Sequence, residues 1–339
     1  MKKLKILVLI HPSLIPPTNA THHEAETMPW RTEHYVIGSL THMGHQVQVL
    51  GVESDLRVIQ KAKEDFKPHI AFNLLEQFDG ETLFDHNVVS YLEMIKLPYT
   101  GCNPKGLILA RDKSLSKKIM FYHRIKTPLF MVVAQNSKFK RPKNLKFPLF
   151  VKSLTEEGSV GISQNSIVYD DEKLLERIKF IHETTFSDAI IETYIEGTDL
   201  YISLMGNKKV VHYPLLELKF KNVPAGFHHI ATSKVKWDPE YRKKYDIDTH
   251  EVKDLSKEDY NNIVKTGKKI YRALNLSGYA RIDLRLTPGN RIYFLEANPN
   301  PDMAKTDDFA ISAKNAGVSY EELLEKALSL GLSYYDSIC

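Results

Sequence analysis

The chain has 339 residues, 42% hydrophobic and 26% charged, the make-up of a soluble globular protein long enough for two or three units with their own cores. Its 46 basic residues against 42 acidic ones leave a net charge of +4, too small an excess to argue for a nucleic-acid partner. No segment approaches the roughly 18 consecutive apolar residues of a membrane span, and two cysteines, Cys102 and Cys339, supply no disulfide framework and fit a reducing cytoplasm.

The opening MKKLKILVLIHP joins lysines to an apolar run of about six residues with no small-residue cleavage site after it, so residues 5–10 are expected as a buried first strand. Helix is predicted over 30–43, with Gly44 as its C-cap, then strand over 46–52, helix over 55–66, strand over 70–74 and helix over 84–96. This alternation predicts an α/β unit with a parallel sheet. No Gly-x-Gly-x-x-Gly follows the first strand, which argues against a dinucleotide site. The loop from His11 to Pro17 lies at the carboxyl end of that strand, where open α/β sheets bind ligands.

Further along, helices are expected over 103–109 and 113–123, strands over 129–134 and 147–153, a charged helix over 172–182 and a strand over 189–192. Strands over 200–206 and 210–214 follow, then a helix over 257–274, strands over 279–286 and 291–296, and a last helix over 320–330. Residues 218–254 show no clear periodicity, which reads as a lid or binding loop. The expected division is 1–100, 101–197 and 198–339, α/β first and α+β after it.

The strongest chemistry lies in GYARIDLRL and RIYFLEANPNPDM, joined by a turn at Pro288-Gly289-Asn290. A hairpin brings Asp283, Glu296 and Asn298 together, and alternation puts Glu296 and Asn298 on one face, with Arg281 and Asp283 sharing a face on the other strand. Oxygen donors of this kind beside phosphate oxygens suit Mg²⁺, and Arg281 suits a phosphoryl group or an oxyanion. Solvated charges on a surface hairpin are the bland alternative, and the apolar flank Tyr293–Phe294–Leu295 argues against it. In FPLFVKSLTEEGSVGIS, Lys152 ends an apolar strand and precedes a loop with Gly158, Ser159 and Gly161, a combination able to hold nucleotide phosphates. Lys113, opening a helix, is a second candidate phosphate ligand. In AIIETYIEGTDLYISLMG, Glu192 is placed to accept a purine's exocyclic amine and Asp199 to take ribose hydroxyls.

These stretches, with LLEQFDGETLFDHNVVSYLEMIKLPYTGC and RDKSLSKK before them, resemble the D-alanine–D-alanine ligases from about residue 72 onward. The resemblance implies an ATP-grasp fold with an N-terminal parallel-sheet domain, ATP and Mg²⁺ as cofactors (two ions, Mn²⁺ an alternative), and a reaction in which an amine attacks an acyl phosphate. It implies small-molecule partners, with no nucleic acid or membrane, and a possible homodimer. On matching positions it assigns Lys113, Lys152 and Glu156 to the phosphates, Glu192, Thr193, Tyr194 and Ile195 to adenine, and Asp199 to ribose. Asp283, Glu296 and Asn298 fall on the magnesium ligands, Arg281 on the arginine that steadies phosphate and tetrahedral intermediate, and Lys234 on the lid lysine near the γ-phosphate. Ser159 is the one serine kept in the phosphate loop, where Gly158 replaces another.

The departures gather at the substrate end. Asp302 stands where the family has a glycine beside the oxyanion hole, and an acid replaces the serine that receives the second alanine's carboxylate, with Asp307 and Asp308 nearby. Three aspartates on a surface expected to be neutral point to altered acceptor specificity and to a cationic acceptor such as a diamine or a basic peptide. The N-terminal glutamate that holds the first amino group has no clear counterpart, and Glu24, Glu26 and Glu33 all remain candidates. His11, His22, His23 and Glu24 lack a strict metal-ligand spacing and read as loop residues. Two rival readings stand beside the ligase: a peptide- or glutathione-synthetase-like enzyme with a larger acceptor, and an ATP-binding module without chemistry.

Overall fold

A computed structural model describes residues 3–18, 20, 26–156 and 158–338. Strand β1 (Lys5–Ile10) leads through α1 (Arg31–His42) to β2 (Gln46–Gly51), and α2 (Arg57–Phe66) leads to β3 (Ile70–Asn73) and α3 (Asp85–Met94). The three strands form a parallel sheet in the order β2-β1-β3. The uninterrupted apolar run of β1 is explained by burial on both faces. Leu7 and Leu9 pack with Ile59, Val88 and Val89 of α2 and α3, whereas Ile6, Val8 and Ile10 pack with Val36 and Leu40 of α1. Gly44 ends α1 as expected: at φ +81 its N–H reaches the Thr41 carbonyl, while the His45 N–H reaches Leu40.

Next come α4 (Pro104–Arg111) and α5 (Lys113–Tyr122), begun by the side chains of Asn103 and Asp112, each of which accepts from backbone N–H groups of the first turn. Strands β4 (Phe130–Val133), β5 (Leu149–Ser153) and β6 (Ile167–Val168), helix α6 (Asp171–Thr185) and strand β7 (Ala189–Thr193) build an antiparallel sheet ordered β4-β7-β5-β6. Leu174, Ile178 and Ile181 seat α6 against Val151 and Ile191.

The remaining elements are β8 (Thr198–Met205), β9 (Val211–His212), β10 (Leu216–Phe220), α7 (Ser233–Trp237), α8 (Pro239–Tyr245), β11 (Ile247–Glu251), α9 (Lys257–Ala273), β12 (Tyr279–Leu286), β13 (Ile292–Pro299), α10 (Asp308–Asn315) and α11 (Tyr320–Ile338). Their strands make an antiparallel sheet ordered β11-β10-β8-β12-β13, with β9 beside β8. Residues 218–254 correct the expectation of an irregular stretch, since they hold the end of β10, both α7 and α8, and β11. Leu218, Val235 and Ile247 meet Tyr201 and Leu216 in a small core of their own. Each element is too short to display a helical or strand period, which is why the pattern was invisible. Helix α10 was likewise not anticipated. The last helix returns to the first sheet, where Leu323, Leu324 and Leu328 pack with Ile6, Val8 and Phe72. No helix among the described residues is long and apolar enough to cross a membrane.

Candidate active site

The cleft lies between the antiparallel sheets, and its floor is the outer face of β12 and β13. Arg281 is paired with Asn298 and Asp283 with Glu296. Beyond that point the register slips, so that Leu284 faces Phe294 and two residues, Leu295 and Glu296, oppose Asp283. This is a β-bulge. Strict alternation would put Glu296 on the side of Phe294, which is fully buried in the core. The extra residue lets Leu295 and Glu296 both line the cleft while Phe294 stays inside.

Cations surround these acids. Arg281 donates to Asp283 at 2.8 and 3.0 Å, and Glu296 lies 3.6 Å from Lys152 and 4.0 Å from Lys113. Burial pushes the Glu296 carboxyl up, but Lys152, Lys113, Lys236 and Arg281 outweigh it and hold it down to about 2. Burial dominates at Asp283 and raises its pKa despite Arg281. Two carboxylates and the Asn298 amide form an all-oxygen donor set of the kind Mg²⁺ takes together with phosphate oxygens. Asn298 Nδ2 is buried with no hydrogen-bond partner among the described residues, leaving a donor for an incoming group. The residues therefore fit the metal. Among the described residues no cluster of three or more His, Cys, Asp or Glu offers an independent metal site, and His22, His23 and Glu24 lie outside the described residues.

The opposite wall comes from β5 and β7, where Lys152, Glu192, Thr193, Tyr194 and Ile195 all line the cleft. Glu192 is 2% exposed, with Oε1 3.2 Å from Lys117 and 3.6 Å from Lys152. Both lysines hold Glu192 where it lines the cleft beside Thr193 and Tyr194. Asp199 also lines the cleft, but one of its oxygens is 2.6 Å from Arg285. Arg285 further donates to the Ile195 carbonyl at 2.9 Å, the Tyr194 hydroxyl at 3.1 Å and the His229 carbonyl at 2.8 Å. It thus ties the connection between β7 and β8 to the lid. Sequence reasoning missed it, although it continues the i, i+2 series of Arg281 and Asp283 on β12.

Lys113 is buried and donates to the carbonyls of Leu154 and Glu156, at 3.4 and 2.6 Å, fastening the start of the phosphate loop. Glu156 takes part through its backbone, donating its N–H to Ser153 Oγ at 3.0 Å. The loop is joined to the lid on both sides. Ser159 Oγ donates to the Ala231 carbonyl at 2.7 Å, Ser233 Oγ donates to the Ser159 carbonyl, and Trp237 Nε1 donates to the Gly158 carbonyl at 2.9 Å. The lysine that reaches the cleft from the lid is Lys236 and not Lys234. Two positions apart on α7, the two lysines point to different sides, and Lys234 Nζ rests 5.7 Å from the Tyr241 ring centre.

Beyond the end of β13, Arg31 donates to Asp302 at 3.2 Å and also to Asp307, while Thr32 Oγ1 donates to Asp302. A cation from α1 therefore already answers two of the three aspartates, which the sequence reading did not foresee. The third, Asp308, lies 3.9 Å from Arg281. Burial and the neighbouring Asp302 push Asp307 up to about 8. Burial, Asp302 and Glu76 raise Glu33 to about 8 against an opposing backbone hydrogen bond. Of the candidate N-terminal acids, Glu33 is buried in this cluster, Glu26 is exposed, and Glu24 lies outside the described residues. Cys102 is fully buried and its thiol is pushed up to about 12, which removes it as a nucleophile.

A family model described as D-ala D-ala ligase C-terminus matches residues 121–329. A D-alanine–D-alanine ligase of Carboxydothermus hydrogenoformans is 29% identical over 320 residues, covering 89% of this chain and 93% of its own. An uncharacterized protein, y4sG of Sinorhizobium fredii, is 27% identical over 317 residues, covering 91% and 90%. The fold is shared with the ATP complex of the Bacillus anthracis D-alanine–D-alanine ligase (TM-score 0.76, 23% identity, 99% of this chain and 100% of that one). It is shared too with the VanG D-Ala:D-Ser ligase of Enterococcus faecalis (TM-score 0.70, 18% identity, 97% and 100%).

Proposed function

The chain belongs to the D-Ala-D-Ala ligase family, and from that premise we propose an ATP-dependent ligase, with Mg²⁺, that joins a carboxylate to an amine and has an acceptor site of its own. The γ-phosphoryl group passes to the carboxylate, the amine displaces phosphate from the acyl phosphate, and ADP and phosphate leave. Asp283, Glu296 and Asn298 would hold Mg²⁺, which would offset the charge of the phosphates. The observation that carries this reading is one surface: Arg281, Asp283, Glu296 and Asn298 on paired strands, with Lys152 and Lys236 facing them. Lys152 and Lys236 meet the phosphates, and Arg281 steadies the oxyanion formed as the amine attacks. Lys113, Glu156 and Ser159 hold the loop over the phosphates, and Thr193, Tyr194, Ile195 and Asp199 border the nucleoside. In the same reading residues 1–100, 101–197 and 198–339 act as three units around the cleft.

The acceptor end supports altered specificity and refines its chemistry. Arg31 balances Asp302, and both Asp307 and Glu33 retain protons near neutral pH, so the surface carries far less negative charge than three bare aspartates suggest. It differs from a hydroxyl-bearing, carboxylate-binding surface without demanding a diamine. The shared fold with a protein named for a D-Ala:D-Ser pair supports variation of the acceptor on this scaffold. The test is phosphate release from Mg·ATP against D- and L-amino acids, singly and in pairs, with diamines and short basic peptides added. Turnover that needs both a carboxylate and an amine other than D-alanine is expected. Full turnover with D-alanine alone would remove the altered acceptor, and tight ATP binding with no turnover on any pair would favour a non-catalytic module.

A further inference from the structure

Behind the nucleotide wall sits a cation that none of these steps uses. Lys117 on α5 has a fully buried side chain. Its Nζ donates to the Leu295 carbonyl at 2.8 Å, lies 3.2 Å from Glu192 Oε1 and sits 5.6 Å from the Phe294 ring centre. It therefore touches two parts of the site from beneath: the bulge that turns Glu296 into the cleft, and the acid of β7.

The ion pairs run as an alternating series. Lys117 meets Glu192 at 3.2 Å, Glu192 meets Lys152 at 3.6 Å, Lys152 meets Glu296 at 3.6 Å, and Glu296 meets Lys113 at 4.0 Å. Within that series Lys152 is the lysine that lines the cleft, and a carboxylate stands on each side of it. The positive potential Lys152 offers a phosphate depends on how far those carboxylates are satisfied elsewhere. Lys113 serves Glu296, and only Lys117 and Lys152 pair with Glu192 among the described residues. Without Lys117, Glu192 would turn its whole charge on Lys152, and the carbonyl of the bulge would lose its donor.

We infer that Lys117 is a positioning residue for phosphate binding, which engages Glu192 and the Leu295 bulge so that Lys152 keeps its charge directed into the cleft. The inference rests on the cleft being a nucleotide site. A purely structural part predicts something different: removing Lys117 would leave Glu192 and the Leu295 carbonyl without their donor and lower stability, with no distinction between a ligand that carries phosphate and one that does not.

The experiment compares ADP with adenosine by calorimetry, without magnesium, in the full chain. Lys117→Met is expected to weaken ADP by about tenfold, the effect of one charge pair in a low-dielectric setting, and to leave adenosine within about twofold. Glu192→Gln alone is expected to tighten ADP severalfold by releasing Lys152, and this arm does not depend on Lys117→Met folding. The double variant should recover most of the lost ADP affinity, as coupling through Glu192 requires. Equal losses for ADP and adenosine, an unchanged ADP affinity in Lys117→Met, or a double variant as weak as that single one would each overturn the assignment. Failure of the unaltered chain to bind either ligand would instead sink the nucleotide reading itself.

Discussion

Lys236 is close enough to Glu296 and Asp283 to act on both electrostatically, whereas Lys234 rests on Tyr241. Removing a lysine that meets the phosphates should lower kcat/KM by about 10²- to 10³-fold, and removing its neighbour should cost less than about threefold. Steady-state phosphate release by Lys236→Ala and Lys234→Ala separates them, and equal losses would mean that the lid moves as a block. At this scale the strand-borne site was largely legible. Arg281, Asp283, Glu296 and Asn298 follow from the two-residue period of paired strands, and the pairing places them together. Arg285 and Lys117 were not legible, because a basic residue in a strand or helix shows nothing of its role until its partners are in place. The lid lysine was misplaced by two positions for a related reason: in a five-residue helix nothing in the sequence says which lysine faces inward.

Among the elements, the phosphate loop and α7 form a clamp built around an unusual contact. Gly158 has φ +62, and a Cβ added there would lie 3.4 Å from the Trp237 ring. The indole lies at contact distance from that position and donates to the Gly158 carbonyl. Gly158→Ala should therefore strain the backbone by about 1 kcal/mol through its positive φ, the indole standing at ordinary contact distance. We expect it to raise KM for ATP severalfold with little effect on thermal stability, because the clamp borders the cleft and contributes little to the cores. Trp237 emission gives the direct measure: nucleotide should quench or shift it in the unaltered chain and much less in Gly158→Ala. An identical response in both would show that the indole does not follow the loop. The loop itself was legible from its glycines and serine, but the lid elements were hidden by their brevity, and the bulge at Leu295 leaves no mark that pattern reading detects.

Across the whole molecule, the distant partner of the substrate end is α1, and this junction carries a pH dependence. Arg31 and Thr32 reach Asp302 and Asp307 across some 270 residues of chain, and Glu33 is buried beside them. The alternating strands and helices made the N-terminal sheet readable, but a contact of that sequence separation has no local signature. Glu33 and Asp307 are both raised, from 4.5 and 3.8, to about 8. The folded chain thus keeps protons that the unfolded chain has already released. Their contribution to stability is complete below about pH 4, declines as pH rises through the interval up to about 8 and is absent above it, each tenfold difference in proton affinity being worth about 1.4 kcal/mol. Asp302 is shifted the other way, so its contribution is lost on acidification below the ordinary carboxylate range. Denaturant midpoints at pH 5, 6.5 and 8 should fall in that order, and Glu33→Gln, which cannot ionise, should flatten the decline. A decline equally steep in Glu33→Gln would place the titration elsewhere. If it is flattened, the α1 junction loosens over the same pH range in which the acceptor surface gains negative charge. Acceptor preference should then drift toward cationic amines as pH rises, because Glu33 and Asp307 gain negative charge beside Asp302 at the proposed acceptor end.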